Sequence, residues 1–159
     1  MKWVPIDPEV YFAIGKGTIF EKGKEWKLDY TKILNVEIEY YDETPIMCNF
    51  PFYVIDENFK NVLIKNGCTG FELSEAIVTF DEDHPNRVMF DNLPRFYWMK
   101  IVGKSNKSDF YEKKFGNEIK VDYLMISEKI SQILKDIDNE YYELIRDSAN
   151  RSIKDRENN

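Results

Sequence analysis

Histidine occurs once in the 159 residues, at His84, and cysteine twice, at Cys48 and Cys68. A lone imidazole excludes any site built on several histidines. It also obliges a Ser/His/Asp or Cys/His mechanism to run through His84, which lies in the turn DEDHPN with nothing nearby in sequence to orient its ring. Two cysteines without knuckle spacing exclude a zinc framework, and the expectation is that both stay thiols in a reducing compartment. No apolar run approaches the ~20 residues of a membrane span, and MKWVPIDPEV lacks the apolar core of a signal peptide, so the expected location is cytoplasmic with no membrane partner. Basic residues are in deficit, 22 against 29 acidic, for a net charge of −7. Residues 146–159 hold four basic and three acidic groups, so the body carries −8. This balance argues against nucleic acid as a partner, because phosphate contacts need a basic surface. It favours a basic protein partner, or simply solubility.

What is present is a globular composition, 43% hydrophobic and 15% aromatic. One domain is expected over residues 1–145, with 146–159 as a polar, fraying tail. Within it, Phe52 to Leu73 reads as strand, helix and strand and returns 71 positions later. Ile126, Glu128, Leu134, Glu143 and Leu144 fall on Ile55, Glu57, Leu63, Glu72 and Leu73. Val54 faces Met125, Phe59 faces Ile130, Val62 faces Ile133 and Phe71 faces Tyr142, so the apolar pattern agrees between the identities. The repeat units run over about 52–73 and 123–144.

Each unit should place an N-cap between strand and helix, Asp56 in one and Ser127 in the other, with Glu57 or Glu128 in the first turn. Phe59, Val62 and Leu63, and then Ile130, Ile133, Leu134 and Ile137, follow the helical period. Gly67 should end the first helix and Asp138 or Asn139 the second. The predicted fold class is α+β, a single domain with a mixed or antiparallel sheet and two helices from the repeated unit.

Elsewhere, Pro5 and Pro8 keep the N-terminal arm at an edge or in a loop. Tyr11 to Ile14 is a candidate strand, and Gly15 and Gly17 form a plain turn, since no helix pattern opens after them to cradle a phosphate. Val36, Ile38 and Tyr40 alternate with Glu37, Glu39 and Tyr41 at the strand period. FELSEAIVTF reads as one extended strand, Arg95 to Gly103 as another, and KSNKSDFYEKKFGNE as a polar loop.

Glu57 and Glu128 are explained by the helix dipole rather than by acid/base chemistry. Asp81, Asp83 and His84 offer oxygen and imidazole ligands, and a metal-dependent enzyme at this turn is one alternative. Three segments mix acid with aromatic residues: EIEYYDE, FELSEAI and DIDNEYYEL. Such a mixture docks on basic patches, or it is a strand with one wet face.

Taken in order, GKGTIF, PFYVIDENFKNVL, NGCTGFEL, LPRFYWMKIVGKSNKSDF and YLMISEKISQIL make the chain resemble a family of bacterial immunity proteins from polymorphic toxin systems, once catalogued as a domain of unknown function. The resemblance runs over about Met1 to Leu144. Ser108, Asp109 and Phe110 stand where members often carry Asp-Asp-Phe, and EKKFGNEIK is more basic than that pattern. It implies a small α+β protein that binds a cognate toxin and blocks it, with no catalytic residues, metal or cofactor. The toxin could be a basic nuclease. The toxin-binding candidates are Glu37, Glu39, Tyr40, Tyr41, Asp136, Glu140 and Tyr141. A stand-alone binding module without a toxin is the remaining alternative.

Overall fold

A computed structural model describes residues 2–159. The prolines leave the N-terminal arm as an edge strand, β1 (Trp3–Ile6), followed by β2 (Phe12–Ile14), β3 (Ile19–Phe20), β4 (Thr31–Ile33) and β5 (Asn35–Ile38). The first copy of the repeat is preceded by β6 (Ile46–Asn49) and consists of β7 (Phe52–Asp56), α1 (Glu57–Lys65) and β8 (Phe71–Glu75). Then come β9 (Ile77–Phe80), β10 (Phe96–Ile101), β11 (Phe110–Phe115), β12 (Val121–Ser127) and α2 (Glu128–Asn158). The α+β class is as expected, and the sheets are mixed: β5 and β9 are parallel, while β1–β12, β11–β12, β7–β10, β6–β7, β2–β5 and β3–β4 are antiparallel.

The chain forms two compact units. One gathers residues up to Pro8, Val62–Glu72 and Ile101–Asn159; the other holds Glu9–Asn61 and Leu73–Lys100. In the first, the sheet runs β1–β12–β11 and α2 packs against β1 and β12. Asp7 donates its N–H to the Ile145 carbonyl (3.0 Å), and Ser148 Oγ donates to Asp7 Oδ2 (3.0 Å). Gly70, at φ +100°, and Gly103 lie against the Phe110 carbonyl so closely that a Cβ on either would overlap it. That contact accounts for Gly70 in NGCTGFEL and Gly103 in IVGKSNKSDF. In the second unit, β2–β5–β9, the β3–β4 ribbon and β6–β7–β10–β8, whose last strand enters at Leu73, surround a core of Phe12, Leu34, Val36, Ile38, Met47, Phe52, Val54, Phe96 and Trp98.

Both predicted caps form. Asp56 Oδ1 accepts from the Phe59 N–H (2.8 Å), and Ser127 Oγ accepts from the Ile130 N–H (3.4 Å). Gly67, at φ +60°, closes α1, with the Cys68 N–H returning to the Leu63 carbonyl (3.0 Å).

The structure corrects several expectations. The second copy has no closing strand: residues 136–144 are helical where the first copy turns into β8. Asp138 ends the first helical segment of α2 as expected (φ −156°, ψ 95°), but its Oδ1 also accepts from the Tyr141 N–H (3.0 Å) and so caps a second segment that was not expected. Residues 146–158 are therefore helix, not a fraying tail, because Ile145, Ala149 and Ile153 recur at every fourth position and are buried, the last two beside Tyr123. The polar loop contains β11, whose Phe110 and Tyr111 are buried while Glu112, Lys113 and Lys114 occupy an edge where charge discourages further strand pairing. In addition, FELSEAIVTF breaks at Ala76 into β8 and β9, and Ile137, expected on the buried stripe, is exposed just before the interruption.

Candidate interaction surface

The strand period sets the character of β5. Leu34, Val36 and Ile38 point into the core, so Ile33, Asn35, Glu37 and Glu39 take the opposite face. Neighbouring strands agree: Ala13 pairs with Glu37 in β2, and Ile77 and Thr79 in β9 pair with Asn35 and Glu37. In the ribbon, Ile19 pairs with Ile33.

Asn35 is buried although it belongs to the outward face, because the turn of Gly15 to Thr18 folds over it. Its Oδ1 accepts from the Gly17 N–H (2.9 Å), and its Nδ2 donates to the Ile77 carbonyl and to Thr79 Oγ1, both at 3.1 Å. Thr18 Oγ1 accepts from the Asn35 N–H (2.9 Å). A Cβ on Gly15 would stand 2.1 Å from Asn35 Oδ1. The GKGT turn is thus a clamp around one amide that ties the turn to β5 and β9.

Of the seven candidate residues, Glu37 and Glu39 are exposed on this face, and neither has an ion-pair partner among the described residues. Tyr40 follows them, 41% exposed with its ring against Tyr11 (4.7 Å between centroids). Tyr41 turns inward instead. Its hydroxyl donates to Asp56 Oδ2 (2.9 Å) and its ring stands edge-on to Phe96 (5.3 Å). Asp56 is 2% exposed and has no ion-pair partner among the described residues, and burial pushes its carboxyl up to about 6; the Phe59 N–H and Tyr41 hydroxyl pull the other way, and Glu43 adds to the rise. Burial and the neighbouring Asp56 charge also raise the Tyr41 phenol.

The remaining three belong to the other unit. Asp136 is exposed and accepts from Gln132 Nε2 (2.8 Å), Glu140 is exposed, and Tyr141 is buried at 8%. Tyr141 is therefore a core residue of the helical segment that Asp138 starts, and the helix rather than a strand separates it from its acidic neighbours. Sequence reading missed Ile19, Ile33 and Ile77, which are 48%, 38% and 47% exposed on the outward face. The signal was the alternation at Val36 to Tyr41, which extends back to Ile33.

Asp109 organises the other cap. Its Oδ1 accepts from Ser127 Oγ (2.7 Å), and its Oδ2 accepts from the Thr69 N–H (2.9 Å) and pairs with Lys129 Nζ (3.1 Å). Burial alone would raise this carboxyl, but those donors outweigh it and hold the group below the usual carboxylate range. The single acid of the SDF motif is a structural hub. Cys68 nearby is a thiol outside any disulfide, raised by burial, and Cys48 is a buried thiol likewise outside any disulfide.

In the DEDH turn, Asp81 Oδ1 accepts from the Asp83 N–H (2.9 Å), His84 Nδ1 accepts from the Asn86 N–H (3.0 Å), and Glu82 pairs with Arg87 (2.9 Å). Among the described residues, no three His, Cys, Asp or Glu side chains are grouped to hold a metal ion, those of this turn included. No described helix is long and apolar enough to cross a membrane. No protein-family model matches the chain, and neither a curated protein nor a solved structure is significantly similar to it.

Proposed function

We propose that this protein is an immunity protein, which binds a cognate bacterial toxin and neutralises it stoichiometrically by covering its active or substrate surface. The observation that carries the reading is the exposed pair Glu37 and Glu39 on the outward face of β5, without an ion-pair partner among the described residues and followed by the exposed ring of Tyr40. The sequence resemblance and the net charge of −7 point the same way. Against a basic toxin such as a nuclease, these carboxylates would steer encounter, and association would slow as salt rises.

Co-expression tests it. The neighbouring reading frames are induced one at a time, alone and with this protein, and growth is followed. Killing by one neighbour, with rescue and a co-purifying complex, supports the reading. Harmless neighbours, or rescue without a complex, would remove its basis.

A further inference from the structure

We propose that the outward face of β2–β5–β9 and the β3–β4 ribbon is the docking surface, with Ile33 and Ile77 at its centre and Glu37, Glu39 and Asp81 as its acidic rim. Its occupant is a toxin surface carrying an apolar side chain ringed by Lys and Arg. The inference rests on the toxin-binding reading above and narrows it to one of the two candidate regions.

Isolated exposed isoleucines are ordinary on protein surfaces, but these three share a face. Ile19 pairs with Ile33, and Ile77 pairs with Asn35, two residues farther along the same strand line. A merely solvated face would continue with residues like Thr79 and Glu37, as it does in the next row. Several exposed apolar side chains on one face with a polar border mark interaction sites more than free surface.

The acids choose the occupant. Glu37 and Glu39 have no cationic partner among the described residues, and Asp81 continues the outward alternation of β9. Lys16, on the turn over Asn35, offsets one of the three charges. A second copy of this chain would bring like charges together, whereas Lys or Arg on a partner would satisfy the carboxylates as water leaves.

The Asn35 clamp holds this face from two sides: the turn through the Gly17 N–H, and β9 through the Ile77 carbonyl and the Thr79 hydroxyl. A surface fixed before binding loses little freedom on docking. The segment around Asp136 and Glu140 offers less, because Tyr141, its aromatic anchor by composition, is committed to the core.

The experiment uses the full chain and the product of whichever neighbouring reading frame it protects against. Binding is measured for I33K, I77K, the pair E37K/E39K, and D136K/E140K, each with a thermal melt. Hydrogen exchange on the unsubstituted complex maps contact without any substitution. The proposal expects I33K and I77K to weaken binding on the order of 30-fold and E37K/E39K on the order of 10-fold, the latter with a shallower salt dependence. It expects D136K/E140K to bind nearly as the native chain, and exchange protection to fall on 19–39 and 77–81. A complex that forms with protection elsewhere, and with the face variants binding normally, overturns the docking face and leaves the immunity reading standing. If no neighbour kills or binds, the immunity reading itself fails and the docking face falls with it.

Discussion

Asp56 and Ser127 occupy the same place in the two copies of the repeat, one residue before a helix and three before the N–H each accepts from. The oxygen does the same work in both. The charge is handled in opposite ways. In the first copy the cap is itself the acid, buried and without an ion-pair partner among the described residues, with the Tyr41 hydroxyl on its second oxygen. In the second copy the cap is a neutral hydroxyl, and the acid sits one step back at Asp109, where Lys129 and the Thr69 N–H compensate it. The same capping geometry therefore tolerates a carboxyl driven upward to about 6 in one place and requires one held low in the other. Local helix initiation needs an acceptor; whether that acceptor is ionised depends on what surrounds it.

The sharpest way to break this comparison is Asp109→Ala, which removes the counter-charge of Lys129 and leaves donors of Ser127 and Thr69 unmatched. It should cost about 3 kcal/mol in urea unfolding, more than either cap. Asp56→Ala should cost about 2 kcal/mol at pH 7, from the lost cap and the orphaned Tyr41 hydroxyl. Ser127→Ala should cost about 1 to 2 kcal/mol, since Asp109 keeps its other donors. Tyr41→Phe should cost about 1 kcal/mol and move the Asp56 titration further up, because the hydroxyl is one of the two contacts that lower it.

The pH dependence has opposite signs in the two copies. Asp56 has a raised folded pKa, so its contribution is fully present below about pH 4 and is lost as pH rises through about 6. Asp109 is depressed, so its contribution is present above the ordinary carboxylate pKa and is lost as pH falls through the folded value. Asp56→Asn keeps an acceptor for the Phe59 N–H but cannot ionise. Its stability, followed by thermal melts from pH 4 to 7, should lack the decline that the native chain shows across that window.

Much of this frame was legible because short-range chemistry set it. The offset of 71 found both caps, the Gly67 stop and the interruption at Asp138, all of which depend on a few neighbouring residues. What failed was decided by packing at a distance. Asp138 ends one helical segment and starts another, and the Ile145, Ala149, Ile153 stripe was hidden among the charges of the final residues. β11 was hidden in the same way by Glu112 to Lys114. Among the candidate binding residues, the period of β5 placed Glu37 and Glu39 outward as read, but composition cannot tell an exposed tyrosine from a buried one. Tyr40 is on the surface, Tyr41 is spent on Asp56, and Tyr141 is in the core. The isoleucines that complete the outward face escaped notice because an isolated Ile in a strand pattern reads as core.

Titrating the side-chain carboxyl carbons of Asp56 and Asp109 by NMR tests the central contrast in one experiment. Asp56 should titrate near pH 6 and Asp109 below the ordinary carboxylate range. Two midpoints near the ordinary value, or Asp109 above Asp56, would contradict the account that the two copies share a cap and differ in where the charge is compensated.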